Sequence, residues 1–163
     1  HYMLTRPEMF ASVSALSGAF LLDASSGDGG RLKELLGDFD QNREAYERCD
    51  IAARLRRYVA DGVALPPMLL HCGTEDRLIE ANRRLVALLV ELNAGIRQRL
   101  EPRVADEPDE RKRLRALNAL LAENRIGFVY MESPGGHDWA FWRDASEGVV
   151  DFHWRSFVRA AGR

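Results

Sequence analysis

The chain has 163 residues, enough for one domain with a substantial core. Its 46% hydrophobic and 29% charged residues suit a water-facing globular protein. A formal net charge of −2 gives no electrostatic reason to expect nucleic acid or an anionic membrane as partner. No apolar run approaches the ~18 residues of a spanning helix. Cys49 and Cys72 form neither a disulfide framework nor a metal site, because neither has a Cys or His partner at ligand spacing. His1 is not an initiator Met and no signal-peptide pattern follows it, so the chain is expected to begin inside something longer. A cytoplasmic location is the default reading, with secretion left open by the unseen N-terminus.

Tyr2 to Leu4 reads as a helix tail stopped by Thr-Arg-Pro at 5–7. Residues 10–17 are short, apolar and rich in small side chains, which suits a buried parallel strand. A Gly/Ser/Asp-rich connection follows, with a short helix near Leu32 to Leu36. Arg43 to Tyr58 is expected as helix in two pieces, with Asp50 as a cap between them. Pro66-Pro67 and Gly73 bracket a second strand over 67–73.

Ile79 to Leu92 is amphipathic, with Ile79, Leu85, Val86, Leu89 and Leu92 on one stripe. From Ala94 to Asn124 the chain is charged and helical, interrupted at Asp106-Glu107-Pro108, with Leu114, Leu117 and Leu121 as its apolar stripe. A third strand is expected over 127–132. Asp151 to Ala161 closes the chain as a helix that faces the core through Phe152, Phe157 and Val158. Strands alternating with helices predict an α/β fold, a parallel sheet flanked by helices.

In such sheets chemistry gathers where strands end. The second strand ends in Gly73-Thr74-Glu75-Asp76 and the third leads into Gly135-Gly136-His137-Asp138-Trp139. A carboxylate and a histidine on neighbouring loops can act as an orienting acid and a general base. Other roles compete: Asp76 can cap the helix starting near Leu78, and His137 can be a satisfied loop histidine. Asp138 is a rival acid with poor geometry beside His137, and Glu75 is expected to face solvent. His71 and His153 are read as structural, and the tryptophans as core.

The segments H-C-G-T-E-D-R-L-I-E at 71–80 and P-G-G-H-D-W-A-F-W-R at 134–143 resemble the last two triad loops of an α/β-hydrolase esterase family. That family contains esterase D (S-formylglutathione hydrolase), feruloyl and acetylxylan esterases, enterochelin esterase and the mycolyltransferases. R-P-E-M-F-A-S-V-S-A-L-S-G at 6–18 is similar to the segment after the family's nucleophile helix. The resemblance implies the C-terminal part of one such domain over 1–163. A helical connection would lie at 23–62 and a charged helical insertion near 94–124.

It also implies that His137 is the general base and Asp76 its orienting acid. Gly135 and Gly136 would allow a sharp turn, and Trp139 and Trp142 would pack the loop down. No Gly-x-Ser-x-Gly occurs in the chain, and the resemblance over 1–18 implies a nucleophile within about ten residues upstream of His1. The oxyanion hole would be missing with it, leaving the chain alone inactive.

The implied activity is a serine carboxylesterase acting on small acyl esters, with neither cofactor nor metal. Trp139, Asp28, Arg31 and Tyr46 are candidate pocket residues. A missing N-terminal segment or a second copy would complete the sheet. The alternatives are a non-catalytic hydrolase-fold binding module and an acyltransferase of the mycolyltransferase type.

Overall fold

The computed structural model describes residues 2–20 and 31–162. The chain opens with a short helix α1 (Tyr2–Thr5) and a 3-10 turn (Pro7–Met9), then enters strand β1 (Val13–Leu16). The strand is shorter than the expected 10–17. The Phe10 amide donates to the Pro7 carbonyl, which keeps Phe10 in the preceding turn, and the ladder to the next strand begins only where Val13 meets Pro67 and Met68. Helices α2 (Arg31–Leu36), α3 (Arg43–Cys49) and α4 (Ile51–Asp61) follow. Asp50 does separate the last two: its carboxylate accepts the Ala53 amide and caps α4.

Strand β2 (Met68–Gly73) is the centre of the sheet and is buried along its whole length. It pairs in parallel with β1 on one side and with β3 (Phe128–Ser133) on the other, giving the order β1-β2-β3. Both later strands lie within one residue of the expected bounds.

The two faces of the sheet differ. Met68 and Leu70 enter a core built with Leu55 of α4 and Leu85, Leu88, Leu89, Ile96 and Leu100 of α5 (Ile79–Leu100). On the opposite face His71 meets Phe141 of α7 (Trp139–Ala161) edge to face, ring centroids 5.0 Å apart. The alternation along β2 is the two-residue period of a strand covered on both sides.

Helix α5 runs unbroken past Leu92, where the sequence suggested a boundary. Asn93 and Gly95 are poor helix formers, but Asn93 is held by tertiary bonds. Its side chain donates to the Ile126 carbonyl and accepts the Ile126 amide at 3.0 and 2.8 Å. The expected start of a separate segment near 94 therefore falls inside α5. A 3-10 turn (Glu101–Val104) and α6 (Glu110–Asn124) come next, with Asp109 capping α6 through the Lys112 amide. Leu117 and Leu121 pack on the core as expected, whereas Leu114 is exposed and Leu120 packs in its stead.

The last helix begins at Trp139 rather than near Asp151, because Asp138 caps it by accepting the Phe141 amide. That start sets its phase. Positions 141, 145, 149, 152 and 156 fall on the inner side in steps of three and four. Phe157 and Val158 lie one and two positions further round and are 61% and 51% exposed, so of the three expected core contributors only Phe152 faces inward. No helix among the described residues is long and apolar enough to cross a membrane.

Candidate active site

The β2–α5 and β3–α7 loops are bound to each other by their backbones. The Thr74 amide donates to Ser133 and the Glu75 amide to Gly135, at 2.9 and 3.0 Å. Gly73 makes this approach possible: a β-carbon there would sit 2.1 Å from the Gly135 carbonyl oxygen. Gly135 itself has φ +132°, a backbone that side chains rarely adopt.

Asp76 and His137 therefore project from two loops held in fixed register. His137 Nδ1 lies 3.0 Å from Asp76 Oδ2. The Asp76 side chain is fully buried, while that of His137 is 34% exposed. Asp76 Oδ1 also accepts the Leu78 amide at 2.8 Å, so the capping role and the histidine contact coexist on one carboxylate.

Burial alone pushes the Asp76 carboxyl above the ordinary carboxylate range. Bonds from the Ser17 hydroxyl, the Leu78 amide and His137 outweigh that and hold it below the ordinary range. An ionised Asp76 only accepts, so the proton of the shared bond resides on His137 Nδ1. Nε2 makes no hydrogen bond among the described residues, so in the neutral ring its lone pair is free.

Trp142 packs edge to face against the His137 ring at 5.0 Å, and Trp139 against Trp142 at 5.2 Å. Trp139 is 81% exposed, so it lies over the loop rather than in the core. Trp142 Nε1 donates to Ser17 Oγ at 3.2 Å.

The other sequence candidates lie elsewhere. Tyr46 is buried at 3% exposure, packs against Phe39 and donates its hydroxyl to the Gly37 carbonyl. Asp28 lies outside the described residues. Asp138 is occupied as the α7 cap and Glu75 is exposed. His153 is bracketed by Ser12 and Ser14, tying α7 to the start of β1 and to the segment before it. His71 is buried against Ser133, 2.8 Å away, and burial pushes its imidazole pKa down.

Sequence reasoning missed two residues. By sequence Ser17 is only the last residue of a strand. It is buried, has φ +53° and joins Trp142 to Asp76. Asn82, a polar residue inside an apolar helix pattern, is fully buried and donates to the carbonyls of Gly18 and Leu78 at 3.0 and 2.8 Å. A polar residue interrupting the amphipathic stripe was its only sequence signal.

No family model and no curated protein matches the sequence. Among solved structures the chain is similar to the crystal structure of the apoenzyme of S-formylglutathione hydrolase (FrmB) from Staphylococcus aureus. The match has a TM-score of 0.57 and 20% identity, and covers 93% of this chain and 44% of that one. The chain thus spans less than half the length of that hydrolase. Its three parallel strands, flanked by seven helices among the described residues, form the C-terminal part of an α/β-hydrolase fold.

Proposed function

We propose that this chain carries the acid and base of a serine ester hydrolase, with the nucleophile supplied by polypeptide N-terminal to His1. The supporting observation is the Asp76–His137 pair: a buried carboxylate 3.0 Å from Nδ1, with a partly exposed ring on the other side. A serine hydroxyl is a weak nucleophile until a base removes its proton. His137 Nε2 takes that proton as the oxygen attacks the ester carbonyl. Asp76 stabilises the imidazolium that forms and keeps Nδ1 protonated. The imidazolium then protonates the departing alcohol, leaving an acyl-enzyme. In the second half His137 takes a proton from water, which attacks the acyl carbonyl, and returns it to the serine.

β1 is hydrogen-bonded only to β2, and its outer edge carries no strand among the described residues. In this reading that edge receives the strand leading to the nucleophile, from the N-terminal segment or from another copy. An unpaired edge otherwise invites non-specific strand pairing. The substrate class is a small acyl ester, and the chemistry needs no cofactor.

A fluorophosphonate probe tests the reading. In the product of the full reading frame, peptide mapping is expected to place the adduct on a serine before His1, with labelling slowed in His137→Ala. An unlabelled protein, or one labelled equally fast in the variant, would sink the proposal and leave the non-catalytic module.

A further inference from the structure

We propose that Ser17 is a positioning residue for the candidate pair, its hydroxyl fixing the Asp76 carboxylate while its oxygen anchors Trp142 against His137. The inference deepens the esterase reading and rests on it for its catalytic consequence.

The backbone of Ser17 is held on both sides. Its amide donates to the His71 carbonyl at 2.9 Å, and the next carbonyl, of Gly18, accepts from the fully buried side chain of Asn82. Ser17 is the one non-glycine at positive φ among the described residues. Glycine would adopt that conformation without strain, so a side chain there must make interactions that offset the strain.

The indole contact has a fixed direction. An indole N–H can only donate, so Ser17 Oγ accepts from Trp142. The hydroxyl keeps its single proton for an acceptor, and of its neighbours the Asp76 carboxylate is the charged one. With Leu78 on Oδ1 and His137 on Oδ2, a bond from Ser17 adds a third donor that restrains the carboxylate beside the imidazole. The buried Cys72 sulfur also neighbours the Ser17 hydroxyl. The same hydroxyl thus touches both groups that hold His137: its acid and the indole against its ring.

Ser17→Gly is the clean test, because it deletes the hydroxyl without straining the backbone. Ser17→Ala repeats the deletion with the β-carbon kept, should the glycine variant fold poorly. Both are made in the product of the full reading frame and assayed on p-nitrophenyl acetate, while the Asp76 carboxyl is titrated by 13C NMR.

Loss of one hydrogen bond to a charged group predicts a kcat about 10–100-fold lower. KM should stay within about twofold, since Ser17 acts through Asp76 rather than on substrate. The Asp76 midpoint should move up. Wild-type kcat, or a wild-type midpoint, in the folded variant overturns the proposal, because a merely structural serine would not couple the two. If wild type and His137→Ala prove equally inactive, the esterase reading has failed and the midpoint alone decides: shifted, Ser17 still positions Asp76; unshifted, it does not.

Discussion

Asp76 serves three donors from one buried side chain, and replacing it separates those duties. Asp76→Asn keeps the shape but presents an amide that cannot enforce the Nδ1–H tautomer. In the proposed enzyme, made from the full reading frame, kcat on p-nitrophenyl acetate is expected to fall by about 10³–10⁴-fold.

The same residue predicts a pH signature. Its folded pKa lies below its ordinary value, so the stability it contributes is present above the unfolded pKa of about 3.9 and is lost as pH falls through the folded pKa. Urea melts should therefore show wild type more stable than Asp76→Asn at neutral pH, with the gap closing only below about pH 4. A constant gap down to pH 2 would contradict the ionised, multiply bonded carboxylate.

Cys72 makes a contrasting residue-scale prediction. It is fully buried and its thiol is pushed up to about 11, first by burial and then by the Asp76 charge. The thiolate is the reactive form, so a pulse of iodoacetamide at pH 8 should modify the half-buried Cys49 and spare Cys72 until the protein unfolds.

At the scale of elements, the site depends on two loops lying in van der Waals contact. Gly73→Ala places a β-carbon 2.1 Å from the Gly135 carbonyl oxygen, backbone against backbone, so one loop must move. The variant should lose activity more than stability, read as a kcat loss with a Tm drop of only several degrees. Asn82→Ala acts through stability instead. It removes the side-chain donor to the Gly18 carbonyl, while the Leu78 carbonyl keeps the backbone amide of residue 82, so the cost is about 1–3 kcal/mol, measurable as a lower urea midpoint.

Strand positions were legible because Pro66-Pro67, Gly73 and the Pro-Gly-Gly run punctuate short apolar stretches. The loop acid and base were legible because they sit where those strands stop. Helix ends were less so. Asn93 and Gly95 look like a boundary, yet the bonds of Asn93 to Ile126 hold α5 straight through. Asp138, a rival acid by sequence, is a helix cap that starts α7 at Trp139 and leaves Phe157 and Val158 facing outward. Ser17 was invisible because its partners lie 59 and 125 positions away, on elements whose packing no local pattern reveals.

Across the whole molecule, the two faces of the sheet divide the work. The α4–α5–α6 face holds the main apolar core, and Leu89→Ala there should cost about 2–5 kcal/mol with the loops unaffected. The α7 face carries the histidine loop, tied to the β1 segment by His153 with Ser12 and Ser14 and by Trp142 with Ser17. Contacts to the end of β1 thus reach both Asp76 and His137, and in the proposed enzyme β1 is also the strand beside the nucleophile's own.

The proposed role of His137, oriented by Asp76, is that of the base of an ester hydrolase. Turnover of p-nitrophenyl acetate by the product of the full reading frame, measured beside His137→Ala, tests it most directly. The expected result is a loss of kcat of about 10³-fold or more with the fold intact by circular dichroism. Equal turnover in the two proteins would contradict it.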